Sequence, residues 1–492
     1  MFLFRIHISI HMAFPVRSPL FYLIFSCIHF FLFVNFESFK SFIYGPLGLS
    51  LNPENATARN KRQTKMLKTV AVIGAGPGGL ANARAISSNT DFEIDIYERN
   101  RDIGGVWYYT ESEALDDTPM YDQLETNICK GLMQFNQFPL DDDIPQFPSR
   151  LQIWKYLRKY YETFIAKQDR IQLKLSHEVT ELKKVVDKWE VTANGKIERY
   201  DFVVVANGHF DHVYIPQHIP GLTEWQTNDL SSIFHSKSYK NCSFAAGKTV
   251  VVVGNGSSGT DIANQLSTVA NKVFHSVTDV SKTDWSGKNP IVTAVSVIKE
   301  FDITNDRCIW FQDGVSIKNV DYVILATGYL YDIPFLTSYR QELLGEDNGE
   351  RGSTRLFNLW EQISFRKDPT IAFPLLCKNV VHFPLSETQA CLIAKVFTGK
   401  VHVPQNTEED IGTQGKDYHS LPTPRDIEYI RDLQEIIDAH GGTTDMFQPI
   451  RWGKSMERLR QASGELKRER TKDLICVALK LRSQQKSYKI VE

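Results

Sequence analysis

TVAVIGAGPGGLANARA, residues Thr69–Ala85, is the stretch that sets the fold class of this chain of 492 residues. Its first residues are apolar and predict a strand that is buried on both faces in a parallel sheet. The glycines of Gly74-x-Gly76-x-x-Gly79 then permit a tight turn, close approach of the backbone to a pyrophosphate, and close helix–strand packing. Because the N–H groups at the helix start favour phosphate, the stretch predicts a dinucleotide-binding unit.

A carboxylate follows where a dinucleotide site requires one. The second strand-like run, Glu93–Tyr97, ends at Glu98, about 20 residues beyond the glycines. A carboxylate at this position accepts hydrogen bonds from ribose hydroxyls and repels a 2′-phosphate. The alternative is a glycine-rich turn that only packs, but strand, loop, helix and acid in order favour dinucleotide binding.

A second unit of the same kind begins near residue 248. A run of valines precedes Gly254-Asn-Gly256-Ser-Ser-Gly259, and a helix is predicted over Thr260–Leu266. Two such units in one chain imply two dinucleotides, and therefore electron transfer between two cofactors.

The second unit lacks a carboxylate at the position that corresponds to Glu98. Thr278 stands there instead, with Ser276 before it and Lys282 after it. Hydroxyls and an ammonium group suit a 2′-phosphate, so these residues favour NADPH over NADH. The adjacent Asp279 and the lack of an arginine leave NADH open.

Bulk composition is that of an ordinary globular protein. The formal net charge of −2 gives no general attraction to nucleic acid or to an anionic membrane surface. The seven cysteines form no C-x-x-C pair, which argues against a disulfide framework, a zinc site and a redox dithiol. We therefore expect reduced thiols, no metal site, and two or three domains.

The first 65 residues differ from the rest. A stretch of about 19 residues without charges lies between Arg17 and Glu37, which is borderline for a membrane span. It is interpreted as a membrane anchor, as a signal sequence, or as upstream sequence joined to a chain that starts at Met66. The last is favoured because a dinucleotide-binding fold begins close to its first strand. We expect a cytoplasmic protein, with association with the endoplasmic reticulum or anchoring through residues 1–65 as alternatives.

Two short motifs follow the first unit. Paired glycines, Gly104 and Gly105, permit close backbone approach to a ligand, and Trp107 follows them. Further on, Thr126 precedes Asn127, which has an alternative interpretation as a turn or cap residue.

The second half of the chain adds three predictions. A strand over residues 320–325 leads into Ala326-Thr-Gly328, a plausible return into the first domain. Ser386 and Gln389 have the spacing of a capping box at a helix start. The mixed charges of residues 451–489 indicate solvated helices.

Taken together, these motifs resemble the flavin-containing monooxygenase family. The resemblance runs from about Met66 to at least Ala390. The stretches YDQLETNICKGLMQFNQFP and GNGSSGTDIANQL are most similar to the fungal branch whose members oxidise small thiols.

One motif departs from the family. The signature F-x-G-x-x-x-H-x-x-x-[FY] is met by His235 and Tyr239, but Asp229 and Ser231 replace the Phe and the Gly. Tyr239, rather than the Trp of ketone-oxidising relatives, favours thiol oxidation over Baeyer–Villiger chemistry. The altered half of the motif makes that distinction less secure.

The resemblance implies an α/β fold with two Rossmann-like domains. An FAD domain is formed by residues 66–208 and 323–492, and an NADPH domain of residues 209–322 is inserted between them. The motifs and the resemblance together give these cofactor-binding candidates: Gly74, Ala75, Gly76, Pro77, Gly78, Gly79, Glu98, Gly105, Val106, Trp107, Thr126, Asn127, Gly254, Gly256, Ser258, Gly259, Thr260, Asp261, Thr278, Ala326 and Gly328.

The implied reaction is oxygenation of a soft nucleophile such as glutathione or cysteamine. NADPH reduces FAD, the reduced flavin reacts with O2 to give a C4a-hydroperoxyflavin, and the substrate attacks its distal oxygen. Asn127 is the one catalytic candidate, as a hydrogen-bonding partner of NADP+ and the oxygenated flavin. Alternatives are a Baeyer–Villiger or N-hydroxylating monooxygenase, a flavin disulfide reductase, which needs a dithiol, and a non-catalytic nucleotide sensor. Any membrane contact is expected only through residues 1–65 or at the periphery.

Overall fold

The computed structural model divides the chain into two units, Met1–Lys65 and Met66–Glu492. All of the residues that it describes belong to the second unit: 67–109, 118–283, 288–345, 352–405 and 417–490. The predictions made for residues 1–65 therefore lie outside the described residues. Within the described ranges, no helix is both long enough and apolar enough to cross a bilayer.

The described chain contains twenty strands and eight α-helices. In chain order the strands are β1 (Thr69–Ile73), β2 (Glu93–Glu98), β3 (Ile171–Leu175), β4 (Val179–Val185), β5 (Lys188–Ala193), β6 (Lys196–Tyr200), β7 (Phe202–Val205), β8 (His212–Val213), β9 (Ile233–His235), β10 (Thr249–Val253), β11 (Lys272–Ser276), β12 (Val292–Val295), β13 (Ile298–Asp302), β14 (Cys308–Phe311), β15 (Ser316–Ile317), β16 (Tyr322–Leu325), β17 (Tyr329–Leu330), β18 (Leu359–Trp360), β19 (Ser364–Phe365) and β20 (Ile371–Ala372). The α-helices are α1 (Pro77–Asn89), α2 (Arg150–Phe164), α3 (Leu222–Asn228), α4 (Ser257–Leu266), α5 (Arg340–Leu344), α6 (His382–Phe397), α7 (Arg425–Ala439) and α8 (Lys454–Ser483).

The two largest sheets have central strands that pair in parallel. The first has the order β18-β19-β20-β7-β1-β2-β3, and β1 pairs in parallel with both β2 and β7. The second has the order β12-β11-β10-β16-β9, with every pair parallel. All strands of the second sheet lie between β7 and β18 in the chain. The prediction of an α/β fold with one Rossmann-like unit inserted into another is confirmed.

Helix α1 lies in the main hydrophobic core, between the first sheet and α6. Its Leu80 and Ile86 are fully buried, as is most of α6. The small residues of α1 permit this close packing, since alanine and glycine side chains leave the two helix backbones near one another. The start of α1, which carries the first glycine loop, is therefore fixed by packing on both sides.

The predicted capping box at Ser386 and Gln389 is wrong. Helix α6 begins at His382, so both residues lie inside it. Pro384 fits the first turn because it lacks an N–H that would have no partner there. The Ser386 hydroxyl donates to the Phe383 carbonyl at 2.7 Å, and the Gln389 side-chain oxygen accepts from the Leu375 N–H at 2.8 Å.

The charged C-terminal run is more than a set of solvated helices. It forms one helix of 30 residues, α8, whose Leu474, Ile475 and Ala478 are buried. Two of these, Ile475 and Ala478, pack into the core of the second sheet. Because charged residues dominate this run, the sequence pattern did not indicate the apolar surface through which the helix packs.

Candidate functional site

The first glycine loop cannot accommodate side chains at two of its positions. A Cβ added to Gly79 would lie 1.9 Å from the Gly74 carbonyl oxygen, and one added to Gly74 would lie 2.4 Å from the Ala206 oxygen. Gly74 also has a φ of +104°, which disfavours other residues. Helix α1 begins directly after Gly76 without a side-chain cap. Its first N–H groups are therefore available to a phosphate.

A second loop closes over this one. The N–H of Gly104 donates to the Ala75 carbonyl at 2.9 Å. A Cβ on Gly105 would lie 2.9 Å from the Gly76 Cα. The short 3₁₀ turn Gly105–Trp107 thus packs against the first loop, so the close approach of the paired glycines is to this backbone.

Glu98, at the end of β2, holds the first loop in place. Its side chain is buried, and its carboxylate accepts hydrogen bonds from the Ala75 N–H at 2.8 Å and the Asn100 N–H at 2.9 Å. Burial raises the pKa of Glu98, while these two N–H donors oppose that rise. Its contact with a ribose stays a prediction.

The second glycine loop repeats the construction of the first. A Cβ on Gly259 would lie 2.0 Å from the Gly254 oxygen, and one on Gly254 would lie 2.3 Å from the Ala326 oxygen. In contrast, a Cβ on Gly256 would meet no atom within 4 Å. Helix α4 begins at Ser257, three residues before the predicted start, again without a side-chain cap. The exposed loop therefore borders open space of the kind that a pyrophosphate would fill.

Of the predicted 2′-phosphate partners, Thr278 and Lys282 lie beyond β11, whereas Ser276 is buried at its end and donates to the Ser296 carbonyl at 2.9 Å. Thr278 is exposed, and the Lys282 ammonium pairs with Asp279 at 3.0 Å. Lys282 is therefore already engaged by a carboxylate, although both side chains remain accessible to solvent. Phosphate selection by these residues stays a prediction.

Asp261 lies in α4, the helix that follows the second glycine loop, and bonds to the segment that precedes Asn127. Its carboxylate accepts a hydrogen bond of 2.5 Å from the Tyr121 hydroxyl and one of 3.2 Å from the Gln265 side chain. Gln265 also donates to the Gln123 carbonyl at 3.2 Å. Burial raises the pKa of Asp261 to about 6, against the lowering effect of the Tyr121 hydrogen bond. Asp261 and its neighbours in α4 thus contact the segment that leads to Asn127.

Thr126 and Asn127 differ in their surroundings. Thr126 is buried, with its N–H donating to the Pro148 carbonyl at 2.9 Å and its hydroxyl to the Ile128 carbonyl at 2.8 Å. Asn127 is exposed, and its side chain has no hydrogen bond to the described residues. Its amide is therefore free to bind a ligand.

Open space also borders the ends of two central strands. Gly208 follows β7 and Gly328 follows β16, and a Cβ on either would meet nothing within 4 Å. Ligands of open α/β sheets bind beyond the carboxyl ends of such strands. Together with the open space at Gly256, this arrangement fits two dinucleotides.

Sequence analysis passed over His209, which follows Gly208. Its side chain is buried, and neither ring nitrogen has a hydrogen-bond partner among the described residues. Burial, aided by the nearby Lys378 charge, lowers the pKa of His209 to about 3, so the imidazole is neutral. Only its position directly after a strand-end glycine could have marked it in the sequence.

The altered family signature forms its own local contacts. Asp229 pairs with Arg307 at 2.8 Å and accepts from the Ser231 hydroxyl at 2.6 Å. These two contacts lower the pKa of Asp229 to about 2. In the unaltered half, the His235 ring contacts the Gly328 carbonyl at 3.1 Å, and Tyr239 is buried in the second domain.

Comparison with known proteins identifies the family. The flavin-binding monooxygenase-like family model matches residues 67–286 and 287–447. This chain belongs to that family. A thiol-specific monooxygenase of Saccharomyces cerevisiae is 44% identical to this family member over 411 residues, which are 82% of this chain and 93% of the yeast protein. The resemblance to flavin-containing monooxygenases of the fungal thiol-oxidising branch is confirmed.

Two solved structures share the fold of this chain. The S-allyl-L-cysteine S-oxygenase of Allium sativum superposes with a TM-score of 0.69 at 24% identity, over 85% of this chain and 99% of that one. Tmm from a Pelagibacter strain gives a TM-score of 0.66 at 24% identity, over 84% and 93% of the two chains. These two likenesses concern the fold, whereas the family model and the yeast relative show that the chain is a flavin-containing monooxygenase and a flavoprotein oxidoreductase.

Proposed function

We propose that this flavin-containing monooxygenase uses FAD and NADPH to transfer one oxygen atom from O2 to small thiols such as glutathione or cysteamine. The observation that carries the proposal is the pair of glycine loops of similar construction, with the helix of the second loop bonded through Asp261 to Tyr121 of the segment that leads to Asn127. The domains assigned are an FAD domain of residues 66–208 and 323–492 and an NADPH domain of residues 209–322. The thiol substrate is supported by the name of the yeast relative.

Unequal burial of the two loops supports different cofactors. Gly76 is buried beneath the turn at Gly105 and Gly78 against Leu375, whereas Gly256 and Ser258 are exposed. An enclosed loop suits a cofactor that stays bound through many turnovers. An exposed loop suits one that enters and leaves in each cycle. FAD is therefore assigned to the first loop and NADPH to the second.

The residues of the chain bind and orient rather than activate the substrate. The N–H groups at the starts of α1 and α4 hold the two pyrophosphates, and Glu98 fixes the first loop. Bound FAD supplies the redox chemistry: it accepts hydride from NADPH and activates O2. The exposed amide of Asn127 would orient the nicotinamide by a hydrogen bond.

A thiol needs no basic catalyst at this site because sulfur is itself a good nucleophile. One oxygen atom of O2 is transferred to sulfur to give a sulfenic acid, and the other leaves as water, with NADPH and one proton consumed. A second thiol then attacks the sulfenic sulfur and releases another water, which gives a disulfide. The protein's task is to keep bulk water away until sulfur arrives.

A panel of substrates tests the proposal. NADPH oxidation and product formation are measured with glutathione, cysteine and cysteamine, with a tertiary amine, and with a cyclic ketone. We expect disulfide to form in proportion to NADPH with at least one thiol, and no ester from the ketone. Ester formation would instead support the Baeyer–Villiger alternative, and an N-oxide or hydroxylamine the N-oxidising one.

Asn127→Leu is expected to separate NADPH oxidation from thiol oxidation. The variant is expected to keep FAD, because Asn127 is exposed and its side chain has no hydrogen bond to the residues that the structure describes. Loss of its amide removes an orienting hydrogen bond, so disulfide per NADPH falls about tenfold or more while peroxide rises. Peroxide and disulfide are measured in the same sample.

Asn228→Leu serves as a matched control, because Asn228 is exposed at the end of α3. It should couple NADPH to disulfide as the wild type does. Unchanged coupling in Asn127→Leu would refute the role given to Asn127.

A further inference from the structure

The segment that carries Asn127 is gripped by two cationic side chains of α8. The Lys467 ammonium donates to the Glu125 carboxylate at 3.0 Å and to the Thr126 carbonyl at 2.9 Å. The Arg470 guanidinium donates to both oxygens of Glu125, with a shortest distance of 2.9 Å. Glu125 has a side chain that is only 3% exposed. The two cations therefore hold a nearly buried carboxylate directly beside the Thr126–Asn127 pair.

Geometry of this kind fixes a backbone closely. Because a buried carboxylate without a partner is costly, Lys467 and Arg470 both stabilise Glu125 in its position, and removal of either weakens the hold on it. Charge-assisted hydrogen bonds are also short and directional. Lys467 adds a bond to the Thr126 carbonyl, which is part of the peptide that joins Thr126 to Asn127. The Lys467 ammonium is thus hydrogen-bonded to the residue that directly precedes Asn127.

The same segment is also held by α4, the helix that follows the second glycine loop. Tyr121 donates to Asp261, and Gln123 accepts from Gln265, both in α4. The segment 121–127 is therefore held by hydrogen bonds from both α4 and α8.

Helix α8 does not need Lys467 in order to stay attached. Arg460 pairs with Asp426 of α7 at 2.6 Å and donates to the Asn379 carbonyl at 2.8 Å. Farther along, Ile475 packs into the core of the second sheet. The contacts of Lys467 are thus additional to those that dock the helix.

We propose that Lys467 is a positioning residue which, through Glu125 and the Thr126 carbonyl, sets where the Asn127 amide lies between the two cofactors. This positioning role rests on the proposed function of the enzyme. Lys467 acts through its neighbours, and its removal leaves both glycine loops intact. Removal of Lys467 is therefore expected to increase the share of O2 that is released as peroxide, and to leave FAD retention largely unchanged.

The test compares Lys467→Met with Arg460→Met in the full chain. Both changes remove a cation of α8 from a buried carboxylate and keep most of the side-chain stem, but only the first lies beside Asn127. We expect Lys467→Met to raise the peroxide released per NADPH about fivefold, with FAD retention within about twofold of wild type. Arg460→Met should lower thermal stability and leave the peroxide fraction unchanged. Lys467→Arg should restore much of the coupling.

A second readout does not depend on activity. In flavin-free protein, amide hydrogen exchange of peptides covering residues 121–130 should be faster in Lys467→Met than in wild type and in Arg460→Met. Equal exchange, or a peroxide fraction that rises equally in both variants, would overturn the proposal. If Lys467→Met does not fold, Glu125→Gln weakens the same contacts with the shape kept and carries the same expectations.

The two proposals fail in different ways. If wild-type enzyme gives only peroxide with every thiol, the proposed function is wrong, and the exchange comparison alone decides whether Lys467 fixes the segment. If wild type oxidises thiols and Lys467→Met is equally coupled, only the positioning role is wrong.

Discussion

Gly79→Ala is expected to abolish retention of the flavin. The added Cβ would lie 1.9 Å from the Gly74 carbonyl oxygen, so either the loop or α1 must move. Helix α1 cannot move freely because it packs between the first sheet and α6. Overpacking of this kind costs about 3 kcal/mol, which corresponds to flavin binding weakened roughly a hundredfold. Bound flavin is measured by its absorbance after gel filtration, with thermal unfolding of the flavin-free protein measured in parallel.

Gly78→Ala is the matched control for this change. A Cβ at Gly78 would meet the Leu375 side chain at 3.3 Å, and that flexible group can move by a few tenths of an ångström. We expect flavin affinity within about threefold of wild type. Equal loss of flavin in both variants would show that the loop is sensitive to any added carbon, and full retention in Gly79→Ala would contradict the role of the loop.

Gly259→Ala is expected to remove reduction by NADPH while the flavin stays bound. Its Cβ would lie 2.0 Å from the Gly254 oxygen, and the His275 ring, which contacts the same oxygen at 2.8 Å, blocks relaxation. The rate of flavin reduction at a fixed NADPH concentration should fall about a hundredfold, for the same overpacking reason. Stopped-flow absorbance without oxygen measures this rate.

In the same loop, Gly256→Ala is expected to weaken NADPH binding without destabilising the fold. A Cβ there would meet no protein atom within 4 Å, so the variant should unfold at the wild-type temperature. It would nevertheless occupy the space assigned to the pyrophosphate, and NADPH affinity should fall about tenfold. Unchanged NADPH affinity in Gly256→Ala would contradict the assignment of the second loop.

The sequence predicted those elements whose formation depends on residues that are close together in the chain. The two glycine loops, with the strands before them and the helices after them, follow from steric needs that lie within a few residues of each glycine. Helix α2 is likewise a local feature, because its buried residues Ile153, Leu157 and Tyr160 recur at helical spacing. The end of β2 at Glu98 follows from the same unit.

Contacts between distant parts of the chain left no such signal. Glu125 and Lys467 are 342 residues apart, and Tyr121 and Asp261 are 140 apart. A carboxylate in an irregular segment and a lysine in a charged helix each resemble solvated residues when read alone. The hydrogen bonds that hold the Asn127 segment therefore emerge only when the fold brings α4 and α8 to it.

Failure of the capping-box prediction has a similar cause. Spacing of Ser386 and Gln389 fitted a helix start, but burial of α6 gave both side chains partners deeper in the core. Short polar motifs are satisfied by whatever lies nearest in the fold, and tertiary contacts overrode the local pattern here.

Reduction and oxygen transfer followed in one sample test the central claim most directly. Enzyme with FAD bound is mixed with an equal amount of NADPH in the absence of oxygen, and then with oxygenated cysteamine. We expect NADPH to bleach the flavin absorbance, and cystamine to form in proportion to the NADPH consumed once oxygen enters. A flavin that NADPH leaves oxidised, or one that returns all of its electrons as peroxide whether or not thiol is present, would contradict the account.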